Sequence, residues 1–218
     1  PYQADASEVF AAVADEPYAA FLDSGRSANE GASDGFLGRY DILVYQPDTI
    51  ITTIGEFTVV HSAEGSIEST DDPFAVIQQV LVDSQRISNI KTDSPFIGGA
   101  LGYFSYDLAR QVEHLPEIAE KTSAFPDMQF GIYDSALIFD HQRETAVLVG
   151  YGDADVLRKR FDQWRSRLKN GRSTGLKPLK VLEELSSNMD FELYQQKFKR
   201  VKDYIRDGDV YQINLAQR

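Results

Sequence analysis

The 218-residue sequence contains no cysteine, which excludes disulfide bonds, thiolate metal sites and cysteine nucleophiles from it. Its three histidines, His61, His114 and His141, are too far apart to match the spacing of metal ligands, so we expect them on the surface or in packing roles. No apolar run approaches the roughly 18 residues that a membrane-spanning helix needs. The first residues are polar and lack the basic segment of a signal peptide. We therefore expect a cytoplasmic protein.

Positive charge is also scarce. The sequence has 22 Lys and Arg against 34 Asp and Glu, which gives a formal net charge of −12. Phosphate backbones and anionic lipids repel such a chain, so we expect no binding to nucleic acid or to membrane surfaces. Hydrophobic residues make up 42% of the chain, enough to form a folded core rather than a disordered polymer.

The hydrophobic periodicity predicts an α+β fold in which antiparallel sheet dominates and helices are interspersed singly. Helices are predicted at residues 7–14, from Pro73 to about Leu81, from Asp153 or Asp155 to about Leu168, and from about Asp190 to Arg206. Strands are predicted at residues 18–22, 39–45, 50–54, 57–61, 131–139, 145–151 and 211–218. The second helix has Asp72 as its cap and Pro73 at its first position, and Gly208 follows the last helix where a left-handed cap is expected.

The clearest domain boundary in the sequence is a stretch at residues 170–180 that contains glycine, proline and basic residues. We predict an N-terminal domain at residues 1–170, a linker at 171–187, and the start of an incomplete second domain at 188–218. The first residue is not methionine, and the predicted closing strand has no terminator. Both ends are therefore expected to be cut, so that the chain is a fragment.

The segment Pro95–Asp107 contains three closely spaced glycines, Gly98, Gly99 and Gly102. Such a segment can bind phosphate, but no Lys-Ser or Lys-Thr pair follows, and the spacing is not that of a dinucleotide-binding loop. Glycines also let one strand approach another backbone closely. We therefore interpret this segment as structural.

Two polar groups flank the loop between the first two predicted strands: Asp23-Ser24-Gly25, and Gly38-Arg39-Tyr40. A hydroxyl, a guanidinium and an aromatic ring that meet at strand ends can bind a small zwitterion. The same residues can equally be a turn residue, a surface cation and a core tyrosine. In the closing strand, Gln212 and Asn214 would share one face, where they would either serve a site or cross-link strands.

Several runs together resemble a known family. These runs are 95–110 (PFIGGALGYFSYDLAR), Leu115–Ile118, Pro126–Met128, Gly131–Asp134 and 208–218. They resemble, in order, the large subunits of anthranilate synthase and aminodeoxychorismate synthase. The closing Tyr-Gln-x-Asn-Leu-Ala-Gln-Arg is similar to component I of the aminodeoxychorismate branch.

The resemblance implies an anthranilate synthase component I-like fold and a transaminase-class transfer of ammonia to chorismate. The product would be 4-amino-4-deoxychorismate, on the route to p-aminobenzoate and folate. The resemblance further implies Mg²⁺ as cofactor and a separate glutamine amidotransferase subunit, in a heterodimer, as the source of ammonia. The family's catalytic and metal-binding residues would lie after Arg218, so no catalytic or metal-binding residue is assigned here, and the fragment is expected to be inactive.

The family also has an amino-acid pocket that binds tryptophan, as an inhibitor or as a structural ligand. Its motifs match Leu22-Asp23-Ser24 and Leu37-Gly38-Arg39-Tyr40. The resemblance therefore implies a tryptophan pocket lined by Leu22, Ser24, Leu37, Gly38, Arg39 and Tyr40. Two alternatives remain open: anthranilate synthase component I, and a regulatory module that binds tryptophan without any chemistry.

Overall fold

The computed structural model describes residues 2–3, 5–25, 38–84, 92–116, 118, 124–170, 180–184 and 186–217. The chain divides into two compact units, Pro1–Thr174 and Gly175–Arg218. The predicted assignment of residues 1–170, 171–187 and 188–218 to a domain, a linker and the start of a second domain stays a prediction. Residues 171–179 of that linker lie outside the described residues.

The first unit contains two antiparallel sheets. Its strands are β1 (Ala20–Leu22), β2 (Tyr40–Val44), β3 (Thr49–Ile54), β4 (Phe57–Ser62), β5 (Gly65–Ser69), β6 (Gly99–Phe104), β7 (Met128–Tyr133), β8 (Ser135–Asp140) and β9 (Thr145–Gly150). One sheet has the order β1-β2-β8-β9, and the other has the order β5-β4-β3-β7-β6. The α+β class predicted from the sequence is confirmed.

Three apolar clusters show how these layers pack. Side chains of both sheets meet in a cluster between them, which contains Val44, Ala136, Ile138 and Tyr133. The opposite face of the four-stranded sheet packs against α1 (Ala6–Phe10) and, through Trp164, α3 (Ala154–Asn170). The opposite face of the five-stranded sheet packs against α2 (Pro73–Asp83) and the 3-10 helix Tyr106–Gln111. The two sheets therefore stack face to face with helices outside, and each buries one apolar face on the other.

Local signals in the sequence located several elements correctly. The β3–β4 hairpin turns at Gly55-Glu56 as predicted, and Ile54 pairs with Phe57. Asp72 caps α2, because its side chain accepts a hydrogen bond from the Phe74 N–H. The first helix is shorter than predicted, because it ends at Phe10 and turns follow.

Two predicted strands are wrong. The run 131–139 was predicted as one strand, but it is broken at Asp134, so that β7 and β8 belong to different sheets. The closing strand at 211–218 is not formed among its described residues, and Tyr211 is 95% exposed. Apolar alternation alone does not make a strand, because a strand is stabilised by backbone hydrogen bonds to a neighbour.

The glycine-rich segment is structural in the described chain. Gly102 pairs with Phe130 across β6 and β7. A Cβ atom at Gly102 would lie 2.0 Å from the Gln129 carbonyl oxygen and 2.6 Å from the Phe130 Cα. Only glycine allows the two backbones to come so close.

The second unit contains α4 (Phe191–Asp207). The Asp190 side chain accepts a hydrogen bond from the Leu193 N–H at its start, and Gly208 ends it with φ +83°, as predicted. No side chain of α4 is buried, and Phe191 is 75% exposed. Within the described part of the chain, no helix is long and apolar enough to cross a membrane.

Candidate functional site

The predicted pocket residues that the structure describes lie at or beside the paired strands β1 and β2. The two strands are antiparallel, and Leu22 pairs with Ile42. The end of β1 therefore lies beside the start of β2, although residues 26–37 separate them in sequence and lie outside the described residues.

Two of the predicted pocket side chains, Tyr40 and Leu22, can be assigned to a face of the sheet. Tyr40 and Ile42 pack against the cluster between the two sheets. Leu22 lies on the same face, because residues paired across an antiparallel sheet share a face. Its side chain is 47% exposed, so this part of the face is open rather than filled.

Ser24 lies two residues beyond the end of β1. Its backbone N–H donates a hydrogen bond of 2.9 Å to the Asp41 Oδ1 atom. Its hydroxyl oxygen is buried and has no hydrogen-bond partner among the described residues. A buried hydroxyl without a partner is unfavourable, and it commonly marks a place where a ligand or water binds.

Arg39 is held by an aspartate. Its Nε and Nη2 atoms donate to the two carboxylate oxygens of Asp140, at 3.1 and 2.8 Å. The guanidinium carbon also lies 4.5 Å from the centre of the Tyr40 ring. The hydrogen bond between the two side chains raises the pKa of Arg39 and lowers the pKa of Asp140. Arg39 therefore forms a two-pronged ion pair with Asp140 at the end of β8 and lies over the Tyr40 ring.

Behind this face lies a buried polar network that the sequence did not reveal. The Nε2 atom of His141 lies 2.8 Å from the Asp41 Oδ2 atom, and the His141 Nδ1 atom lies 2.9 Å from the Tyr2 hydroxyl. Asp41 is 5% exposed and His141 is 4% exposed. The only signal in the sequence was a carboxylate inside an otherwise apolar strand. Its partner could not be identified because it lies 100 residues away.

The other predicted residues have different outcomes. Gly38 has φ +78°, which favours glycine, and this fits a tight entry into β2. Leu37 lies outside the described residues, so its place in the pocket stays a prediction. Gln212 and Asn214 are exposed and lie in no strand, with the Gln212 Nε2 atom 3.5 Å from the Asn214 Oδ1 atom. No group of three or more His, Asp or Glu side chains that could hold a metal occurs in the described part of the chain.

Comparison with known proteins identifies similar chains. A family model described as chorismate binding enzyme matches residues 21–218. Aminodeoxychorismate synthase component 1 of Escherichia coli (strain K12) is 41% identical over 218 residues, which cover 100% of this chain and 45% of that protein. The component of the same name from Salmonella typhimurium is 39% identical, with the same coverage of each chain. Anthranilate synthase alpha subunit 2 of Arabidopsis thaliana is 30% identical and covers 88% of this chain and 35% of its own length.

A solved structure supports the fold. The crystal structure of anthranilate synthase component I from Streptococcus pneumoniae TIGR4 superposes with a TM-score of 0.65 at 22% identity. The match covers 84% of this chain and 42% of that one. The fold expected from the resemblance is therefore confirmed. The chain spans less than half the length of the relatives it matches.

Proposed function

The chain belongs to the family of chorismate binding enzymes, and we propose that the full-length protein transfers ammonia to chorismate. The hydroxyl at carbon 4 of chorismate would leave and an amino group would replace it, which gives 4-amino-4-deoxychorismate. The observation that carries the proposal is 41% identity along the whole chain to a protein named aminodeoxychorismate synthase component 1. The anthranilate synthase relative reaches only 30% over a smaller share of the chain.

We further propose that ammonia comes from a partner glutamine amidotransferase subunit and that Mg²⁺ assists the departure of the hydroxyl group. The described residues do not fit a Mg²⁺ site, because no three carboxylate or imidazole groups converge among them. We therefore assign the ion's ligands and the catalytic residues to the part of the relatives that this chain does not span. No step of the reaction is assigned to a side chain described here.

The role we propose for this chain's own site is to bind tryptophan. Ser24 supplies an unpaired hydroxyl, and Leu22 and Tyr40 supply an apolar face between the sheets. An amino acid carries both an ammonium and a carboxylate group, and burying either without a partner costs several kcal/mol. The Ser24 hydroxyl would bond one of these groups, and the Tyr40 ring, held by Arg39, would pack against the indole.

Tryptophan titration into the full-length protein tests this site. Ser24→Ala should weaken binding by about 1 kcal/mol, or roughly fivefold, because one ligand hydrogen bond is lost. Ser105→Ala is the matched control, because Ser105 carries the same kind of buried, unpaired hydroxyl beside the 3-10 helix of the other sheet. It should bind tryptophan like the wild type. Equal affinities for wild type and Ser24→Ala would remove the pocket but leave the family membership intact.

A further inference from the structure

Ser24 needs an external support to hold its hydroxyl in the proposed site. β1 ends at Leu22, so Ser24 lies beyond the paired part of the strand. The bond that the structure shows at its backbone N–H is the one to the Asp41 Oδ1 atom. Asp41 belongs to β2, which pairs with β8 along most of its length. Asp41 therefore anchors Ser24, which lies outside the strand pairing, to the sheet.

The Asp41 carboxylate in turn depends on His141. A carboxylate at 5% exposure loses most of its hydration, so both of its oxygens need donors. Ser24 supplies the donor to one oxygen, and the His141 Nε2 atom lies 2.8 Å from the other. Since an ionised carboxylate only accepts hydrogen bonds, Nε2 carries the hydrogen. In the neutral ring Nδ1 then accepts from the Tyr2 hydroxyl, 2.9 Å away.

His141 is itself fixed on the sheet. Its backbone N–H donates to the Arg39 carbonyl oxygen at 2.8 Å, directly beside Tyr40. The chain of bonds thus runs from Tyr2 through His141 and Asp41 to the Ser24 backbone. It ends at the residue whose hydroxyl is buried and unpaired.

We propose that His141 and Asp41 are positioning residues for the amino-acid ligand, which hold the Ser24 backbone so that its hydroxyl faces the ligand. The inference rests on the proposed tryptophan site. Neither residue touches the ligand, because the network acts through the Ser24 N–H group rather than through its hydroxyl. A change that breaks the network should therefore displace Ser24 and weaken ligand binding even though every proposed pocket residue is still present.

Two polar substitutions of His141 distinguish its hydrogen bond to Asp41 from a general contribution of its side chain to packing. In His141→Gln the side-chain amide reaches about as far as Nε2, so it can still donate to Asp41. In His141→Asn the shorter amide reaches only as far as Nδ1 and cannot. Both variants are made in the full-length protein. The Ser24 amide is followed by NMR through its chemical shift and hydrogen exchange, and the tryptophan dissociation constant is measured by calorimetry.

We expect a protected Ser24 amide in the wild type and in His141→Gln, with affinities within about threefold of each other. In His141→Asn the amide should lose protection and the affinity should fall roughly tenfold, the effect of losing a hydrogen bond to a charged group. Unchanged affinity and an unchanged Ser24 amide in a folded His141→Asn variant would overturn the positioning role alone. A wild-type protein that binds no tryptophan would overturn the site and the positioning role together. If His141→Asn does not fold, the wild type and Tyr2→Phe decide instead. A Ser24 amide that exchanges freely in the wild type overturns the proposal. A protected Ser24 amide in the wild type, together with weaker tryptophan binding in Tyr2→Phe, supports it.

Discussion

Asp140 accepts hydrogen bonds from the Arg39 guanidinium and from two backbone N–H groups, those of Gln142 and Arg143. These donors stabilise the charged carboxylate, and the bond from Arg39 lowers its pKa most. From the sequence, the Arg39 guanidinium was one of three groups that could bind a small zwitterion, which carries a carboxylate. Arg39 binds a carboxylate, but this carboxylate is in the protein and lies 101 residues away along the chain.

The lowered pKa of Asp140 predicts a pH-dependent stability. Its contribution is fully present above the unfolded-state value of about 3.9 and is lost as the pH falls through the lower folded-state value. Asp140→Asn should therefore reduce the free energy of unfolding by about 1 kcal/mol at neutral pH, and this difference from wild type should shrink below about pH 4. Urea unfolding at both pH values measures it. Asp93→Asn is the control, because the Asp93 side chain is 84% exposed and should matter little at either pH. An equal loss for Asp140→Asn at both pH values would contradict the account.

The Tyr133 hydroxyl donates a 2.6 Å hydrogen bond to the Tyr18 carbonyl oxygen, and burial raises the Tyr133 pKa to about 12. Tyr133→Phe should lower the free energy of unfolding by about 1–2 kcal/mol at neutral pH, because a carbonyl loses its donor. This difference from wild type should hold below about pH 10, where the unfolded tyrosine stays neutral, and decline as the pH rises through the folded value. Denaturant unfolding at neutral and alkaline pH is the measurement. Tyr106→Phe is the control, because that side chain is 90% exposed and its loss of a hydroxyl should not change the free energy of unfolding. A stability difference between wild type and Tyr133→Phe that grows at alkaline pH would contradict the account.

Among the secondary-structure elements, the turns and helix ends that depend on residues close together in the sequence were predicted correctly. The Gly55-Glu56 turn defines the β3–β4 hairpin, Asp72 and Pro73 start α2, and Gly208 ends α4. The sequence did not predict strand boundaries that depend on pairing with residues far away in the chain. The break at Asp134, which sends β7 and β8 into different sheets, is decided by pairing with β3 and β2 far away in sequence. The edge strand β5 was missed for a different reason: it pairs with its neighbour in the chain, β4, but its residues are mostly polar and its apolar signal is weak.

The close approach of β6 and β7 gives an element-level prediction. Gly102→Ala would place a Cβ against backbone atoms of Gln129 and Phe130, which cannot move as a side-chain tip can. We expect a loss of about 3 kcal/mol or more in the free energy of unfolding. Gly55→Ala is the matched control in the same sheet: its Cβ would meet nothing within 4 Å, so only its φ of +56° opposes the change, at about 1 kcal/mol. Equal losses for the two variants in denaturant unfolding would contradict the account, because the close contact would then cost nothing beyond the ordinary strain of a left-handed residue.

For the whole molecule, the sequence predicted the fold class and the family, because several motifs occur in the right order along the chain. It did not predict the Asp41–His141 network, since both side chains are unremarkable in sequence and become partners only when β2 and β8 pair. The same holds for the pair formed by Arg39 and Asp140. Candidate ligand residues could be found from motifs, whereas the residues that hold them in place required the structure.

The second unit gives a prediction about residues 1–218 expressed alone. Phe198 and Ile205, seven residues apart on one side of α4, belong to an apolar stripe that is left uncovered: Phe198 is 48% exposed and Ile205 is 43% exposed. At roughly 25 cal/mol per Å², the missing contacts of such a stripe amount to several kcal/mol, a large share of a domain's stability. We expect residues 1–218 alone to be marginally stable and to give no amination of chorismate. A cooperative melt at high temperature as a monomer, or product formation from chorismate and ammonium, would contradict this.

The central claim concerns the reaction of the full-length protein. The direct test is to incubate it with chorismate, ammonium and Mg²⁺ and to identify the product by chromatography and fluorescence. A parallel reaction contains glutamine and the proposed amidotransferase partner instead of ammonium. The account predicts 4-amino-4-deoxychorismate, formed without release of pyruvate. Fluorescent anthranilate and an equal amount of pyruvate as the main products would contradict it and assign the protein to the anthranilate synthase branch of the family.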